Sequence, residues 1–402
     1  QGGAATARQV TYTANLEVDH RALRSQVYNE GWRIMKHRFY DPGMHGADWP
    51  AARRRYAPLL EHVADNDELH TVMMMMIGEL NASHTGVSGG PSNLPRTQQT
   101  RYPGFDLVAD QSGFYKVGHI YKNGPADRDH LKIKTGQFVL SVNGNDLKTA
   151  DNYWRHFTLA AGSKFHFAVN DKPSKEGAWT VTVEPVGSMG DLHYARWVDE
   201  RRAIVDKLSA GEIGYLHIRA MNAPSLRQFV LDLASNRTKK ALVIDQRFNG
   251  GGGIEQELLA ILSGRQYQYT MGRDAGFRQP RPANFYGPMV VMQNERSGSN
   301  AEMFPAGFRA LGLGKVIGVP TAAAVIGTGS YTLLDGSTIR TPGTGVWTAE
   351  GENMENYGVP PDVYVDNLPA DFLKGRDAQL EKAVEVLKGD LAKRTGTGTV
   401  SR

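Results

Sequence analysis

Two short apolar runs that each break into a sharp turn and then a helical pattern constrain this chain more than anything else in it. The first, Ala241 to Asp245, spills into Gln246-Arg247-Phe248-Asn249 and four consecutive glycines, Gly250 to Gly253, and is followed by helical periodicity over Ile254 to Leu262. The second, Met289 to Met292, passes through Gln293-Asn294-Glu295-Arg296-Ser297-Gly298-Ser299-Asn300 into a helical pattern over Ala301 to Leu311. Both read as buried strand, tight loop, helix. Further strands are expected at Ile213 to Ile218 and Lys315 to Val319, and a further helix at Ser225 to Ala234. Strands alternating with helices at this spacing require crossover connections, and so a largely parallel sheet in an α/β fold.

A serine at such a turn stands at the C-terminal edge of the sheet, where the amides of the following helix face negative charge. Glycines let backbone N–H groups approach the same point closely. The nucleotide alternatives fail: no Lys-Ser/Thr follows Gly253 as a phosphate loop needs, and no acidic partner closes a next strand about 20 residues on, as a dinucleotide fingerprint needs. An isolated Ser before a helix is ordinarily an N-cap. The setting of Ser299 after Asn294 and Gly298, with a Gly-rich strand end elsewhere, favours a nucleophile instead.

Together the two halves resemble the S41 group of serine peptidases, which contains the C-terminal processing peptidases and the tricorn proteases. The matching residues are Asp245, Arg247, Asn249, Gly251 and Ser299. Gly78-Glu79-Leu80-Asn81-Ala82-Ser83-His84 resembles the tricorn segment that carries the general base, and Glu355-Asn356-Tyr357-Gly358-Val359-Pro360-Pro361-Asp362 resembles the one that carries its supporting carboxylate. Glu352 competes with Glu355, and spacing to Tyr357-Gly358-Val359 favours Glu355. The resemblance runs from about Tyr40 to about Leu391 and corresponds to the C-terminal part of a tricorn protein, without its propellers.

The resemblance implies a Ser-His-Ser-Glu tetrad of Ser299, His84, Ser83 and Glu355, with the amides of Gly252 and Asn300 as oxyanion donors. Ser297 is expected to be a neighbour without a proton-transfer role. The Lys base of the processing peptidases has no counterpart in Gly318-Val319-Pro320-Thr321-Ala322-Ala323-Ala324, which favours the tetrad branch. Alanines stand there in place of the Thr-x-Gly-Gly continuation of tricorn-like enzymes. In the family this resembles, preference for a basic residue before the cut goes with an acid between the glycines and the nucleophile strand; Thr270 stands at that position here, with Asp274 nearby, so that preference is not implied. The implied architecture is a crotonase-like (ClpP-like) parallel-sheet core at 190–391, a helical subdomain at 17–90 delivering the His, and a PDZ-like β-rich domain at 101–187.

Within the helical subdomain, stripes are expected over Arg21 to Phe39 and Asp67 to Leu80, with a helix start at Asp48-Trp49-Pro50. The Met73 to Met76 run reads as flexible core filling rather than a ligand box. A strand is expected at Gln9 to Leu16. Gly89 to Thr100, rich in turn formers, marks a boundary. Beyond it, Leu131 to Leu147 reads as a central hairpin, and Tyr102-Pro103-Gly104-Phe105 stands where a carboxylate-binding loop would lie. Such a domain either accepts a peptide by strand addition or serves as a spacer. Asp191 to Leu208 is expected to turn Tyr194, Trp197, Val198, Ile204, Val205 and Leu208 inward; a hairpin turning at Asp335-Gly336 and a closing helix over Asp377 to Leu387 complete the chain.

Composition excludes several classes. The 402 residues allow two or three domains, and a net charge of +4 without a basic stripe gives no case for nucleic acid. No apolar stretch is long enough to span a membrane. Zero cysteines remove disulfides, thiol nucleophiles and thiolate metal sites together. No cofactor or metal is implied. Starting at Gln1 without a leader pattern, the chain is expected to be a processed form or an excised piece. The resemblance implies a cytoplasmic protein, with an exported or periplasmic one as the alternative. It also implies peptide substrates, aminopeptidases acting downstream, and a homo-oligomer in the full-length protein. A non-catalytic peptide or ligand binder on the same fold is the competing reading.

Overall fold

The computed structural model describes residues 17–90, 99–160, 162–265, 270–271, 273, 277–278 and 284–395. The chain forms two compact units, Gln1–Leu94 with Ser297–Ala306 and Pro320–Pro360, and Pro95–Arg296 with Gly307–Val319 and Pro361–Arg402.

In the first unit, helices His20–Arg38, Trp49–Tyr56 and Asn66–Gly78 begin on Asp19, Asp48 and Asp65, whose carboxylates each accept first-turn N–H groups. Met73 and Met76 are fully buried while Met75 is 47% exposed, so the methionine run fills a core on one face only. Helix His20–Arg38 lies close to that core at Gly31, where a Cβ would stand 2.4 Å from the Met73 methyl. Strands Gly86–Gly89, Ser337–Gly345 and Ile326–Thr332 form an antiparallel sheet, with Ser337–Gly345 in the middle. Its Leu333 and Ile339 complete the helices' core. The hairpin turns at Asp335-Gly336, with Gly336 at φ +84°. The apolar stripes of residues 17–90 are thus covered by Leu333 and Ile339, from far along the chain.

The second unit holds a five-stranded, wholly parallel sheet in the order Val363–Tyr364, Gly314–Gly318, Met289–Gln293, Ala241–Asp245, Ile213–His217. Its three central-to-edge strands Met289–Gln293, Ala241–Asp245 and Ile213–His217 are buried at every position, which is why they read as continuous apolar runs rather than alternating ones. Helices Gly190–Ser209 and Ala378–Thr395 share one core with these strands. Leu208, expected to face inward, is 37% exposed, and Ser209 is buried in its stead. Val205 and Ser209, four apart, share the inward face. The Ser209 hydroxyl donates to the Val205 carbonyl at 2.7 Å and accepts the Ile213 N–H at 3.1 Å, joining the helix end to the first strand.

Residues 105–183 form an antiparallel sheet in the order Phe105–Ala109, Tyr115–Ile120, Phe138–Val142, Phe165–Asn170, Trp179–Val183. Asn145–Asp146 folds back on Phe138–Val142 through Asn143 and Gly144, both at positive φ (48° and 80°), as a tight two-residue hairpin needs. The strand expected at Gln9 to Leu16 lies outside the described residues. Among the described residues no helix is long and apolar enough to cross a membrane.

Candidate active site

His84 is carried by a stretch of chain that leaves helix Asn66–Gly78 and is fastened at three points. The Leu80 carbonyl lies 2.9 Å from His45 Nδ1, the Asn81 carbonyl accepts Asn356 Nδ2 at 3.0 Å, and the Ser83 N–H donates to Glu355 Oε1 at 2.7 Å. Asn81 and His84 take left-handed backbone angles (φ 44° and 58°), which aim the imidazole back across the unit. Ser83 Oγ donates to Glu355 Oε2 at 2.9 Å and stands 2.7 Å from His84 Nδ1. A hydroxyl has one proton, so with that proton on Glu355 the oxygen accepts the Nδ1–H of His84. This leaves Nε2 as the bare acceptor, 3.0 Å from Ser299 Oγ.

Glu355 is 1% exposed and takes a further hydrogen bond from the Val325 N–H at 2.7 Å. Glu352 is exposed, its backbone closing a turn with Thr348. Burial lowers the His84 pKa below its ordinary value of 6.5, the positive charge of Arg340 lowers it further, and Glu355 opposes both.

On the other side, Ser299 precedes helix Asn300–Ala310 and holds φ +58°. Ser299-Asn300-Ala301-Glu302 is the sequence of a capping box, and half of one forms: Glu302 Oε1 accepts the Ser299 N–H at 3.0 Å. The serine hydroxyl is on His84 instead. The bland reading of Ser299 as a cap therefore holds for its backbone, while its side chain is placed for chemistry. Glu302, which the sequence reading passed over although the Ser-x-x-Glu pattern was visible, is 0% exposed. It also accepts the Thr321 hydroxyl, the Ala323 N–H at 2.9 Å and the Ala324 N–H at 2.8 Å. Burial pushes its carboxyl up, against the effect of these donors.

Asn300 is buried, with Nδ2 3.6 Å from Met303 Sδ, and Ser297 is fully buried, its carbonyl accepting the Ala322 N–H at 2.9 Å. Gly252 belongs to the other compact unit. There it sits at φ +146°, and a Cβ would stand 1.9 Å from the Met221 carbonyl oxygen, so no other residue fits. Thr270 lies in a short strand, Thr270–Met271, paired with Phe277–Arg278; Asp274 lies outside the described residues.

A serine hydroxyl set on the bare nitrogen of an imidazole, with a buried carboxylate behind it, defines a serine-hydrolase type of site. Residues 212–365 match the family model of Peptidase family S41, and residues 20–78 match that of the Tricorn protease C1 domain. The chain is 32% identical over 382 residues to Tricorn protease homolog 1 of Streptomyces coelicolor, covering 91% of this chain and 35% of that protein. It is 27% identical over 393 residues to Tricorn protease of Thermoplasma acidophilum, covering 94% and 36%. The crystal structure of the tricorn protease superposes with a TM-score of 0.84 at 25% identity, over 92% of this chain and 37% of that one. By these matches the chain carries an S41 serine peptidase region over residues 212–365 and is similar to the tricorn-like group. It spans about a third of the length of the curated relatives it matches.

Proposed function

We propose that this chain is a serine endopeptidase that hydrolyses peptide bonds of unfolded proteins or oligopeptides through a Ser299-His84-Ser83-Glu355 tetrad. The observation that carries the reading is the continuous hydrogen-bonded line from Ser299 Oγ through His84 and Ser83 to Glu355. Ser299 Oγ attacks the peptide carbonyl as its proton passes to His84 Nε2. The imidazolium returns that proton to the leaving amine, the C–N bond breaks, and an acyl-enzyme remains. Water, deprotonated by the same imidazole, then hydrolyses the ester and restores the serine. Ser83 fixes the tautomer of the neutral imidazole and passes the influence of Glu355 to the imidazolium that forms.

The oxyanion donors in this reading are the amides of Gly252 and Asn300. Two observations support the pair. The Ser299 amide is already given to Glu302, so the nucleophile's own N–H does not serve. Met221 bonds to Gly251 O and Gly253 N, on either side of Gly252, which turns the Gly252 amide away from that bridge.

We also read 101–187 as a PDZ-like domain, 17–90 as the base-bearing helical subdomain and 190–391 as a crotonase-like core. The antiparallel sheet of residues 105–183 and the five-stranded parallel sheet support this. Thr270 is taken as the residue at the position governing the side chain before the cut. A homo-oligomer of a fuller protein, feeding aminopeptidases, is the assembly this reading implies. The alternative, a non-catalytic peptide or ligand binder, is separated by one experiment. A fluorophosphonate should label Ser299 covalently, and Ser299→Ala should abolish both labelling and peptide hydrolysis while preserving the fold. A folded wild type that resists labelling would favour the binder.

A further inference from the structure

Residues 321–325 form no helix or strand, yet each of their five backbone amides is engaged. Thr321 N–H goes to the Val359 carbonyl at 3.3 Å and Ala322 N–H to Ser297 at 2.9 Å. Ala323 and Ala324 donate to Glu302, and Val325 donates to Glu355. Two buried carboxylates, one from the helix that follows Ser299 and one from behind His84, therefore grip the same short segment. Ala323 is held at φ +62°, an angle an alanine adopts only when its surroundings impose it. The Ala323 carbonyl in turn accepts the Asn356 N–H at 2.9 Å, one residue from Glu355.

We propose that Glu302 is a positioning residue of the reaction: through the 321–325 segment it sets the Ser299 turn against Glu355, so that nucleophile and base hold one geometry. The inference rests on the peptidase reading and assigns Glu302 no contact with substrate. Its four partners, the Ser299, Ala323 and Ala324 amides and the Thr321 hydroxyl, are all donors, so both oxygens must be acceptors. A glutamine places an NH₂ against at least one of these donors and releases either the serine's turn or the segment. A displacement of the order of 1 Å at Ser299 costs about 10²-fold in rate without touching substrate affinity.

The test compares Glu302→Gln, Glu302→Asp, Thr321→Val and Thr321→Ser with wild type, after circular dichroism and thermal melting have identified the folded variants. Glu302→Gln should lower kcat and the rate of fluorophosphonate acylation together, by roughly 10²-fold, with KM within about twofold of wild type. Glu302→Asp should recover part of that loss. Thr321→Val, which removes one donor and leaves the carboxylate, should fall about 3- to 10-fold, and Thr321→Ser should restore the rate. It keeps the inference testable if Glu302→Gln does not fold. Glu302→Gln combined with Glu355→Gln should lose less than the product of the single losses, because both carboxylates act through one segment. Wild-type kcat and acylation rates in a folded Glu302→Gln, or in Thr321→Val where that variant alone folds, would overturn the inference and leave the peptidase reading standing. Absence of labelling in wild type would overturn both.

Discussion

Asp245 and Asp377 in one unit, and Glu355 and Glu302 in the other, are all buried carboxylates, but they are satisfied in opposite ways. The Asp pair surrounds a guanidinium: Arg247 bonds Asp245 at 2.7 Å and Asp377 at 2.9 Å, with Arg201 Nε 3.8 Å from Asp377. Charges of both signs cancel there, and the work done is mechanical. Asp377 also accepts the Leu380 N–H, so the cluster fastens the start of helix Ala378–Thr395 to a strand end. The two glutamates have only N–H and O–H groups as their hydrogen-bond partners among the described residues. Their bonds satisfy the oxygens without cancelling the charge. In the proposed tetrad Glu355 can therefore lend its field to an imidazolium forming at His84, whereas a carboxylate already spent on an arginine could not. Paired buried charge builds a scaffold; buried charge solvated by dipoles is available for chemistry.

The largest expected effect falls on the paired set. Arg247→Met leaves two buried carboxylates facing each other without their cation and should cost about 3–5 kcal/mol of stability in denaturant unfolding. A loss below 1 kcal/mol would remove the contrast. For Glu355→Gln the loss should appear in kcat rather than in folding. The intervening hydroxyl keeps it below the ~10⁴-fold of a direct carboxylate–imidazole contact, and roughly 10²-fold is expected, with KM little changed. Ser83→Ala should resemble it, and the double variant should be little worse than either alone. Independent multiplication of the two losses would mean that Ser83 does not carry the influence of Glu355.

Acid should separate the two sets further. Burial alone would raise the Asp377 carboxyl, but the charge and bonds of Arg247 outweigh it and hold the group below its ordinary value of 3.8. Its contribution to stability is therefore present above the unfolded carboxylate pKa and lost as pH falls from there through the lower folded value. Melting temperatures measured across that range should fall less steeply in Arg247→Met than in wild type. The smallest effect is a displacement of the pH–rate profile. In the proposed mechanism the base must be neutral, and His84 is held below 6.5 by burial and by Arg340, so the acid limb of kcat/KM should lie below that of an ordinary histidine. Arg340→Gln should move it to higher pH and Glu355→Gln to lower pH. Movement in the same direction for both would contradict the electrostatics described here.

Much of this was legible in the sequence, for reasons that differ by residue. Ser83-His84, Ser299 and Glu355 lie in runs whose neighbours are themselves constrained, so the resemblance picks them out together. The buried parallel strands were legible because burial on both faces leaves apolar runs without alternation. Arg247 was legible as part of a pattern but not as a fastener, because its partner Asp377 lies 130 positions away. Leu208 was misplaced because periodicity assumes an apolar residue turns inward, while a serine that can bond its own helix and the next strand is buried at less cost. Glu302 shows a capping signal any helix start would show. Nothing local says that its second function reaches 21 residues along the chain to Ala323.

The fully engaged amides of 321–325 also bear on how this segment would look in solution. Loops ordinarily exchange their amide hydrogens with solvent quickly, since opening them disturbs little. Here every amide hydrogen of the five residues is locked onto a carbonyl or a carboxylate, and release of the last three requires their bonds to Glu302 or Glu355 to open as well. In deuterium exchange this unstructured-looking stretch should therefore be protected like a strand of the sheet. Its slowest-exchanging amides would then report on the integrity of the proposed site without any turnover being measured.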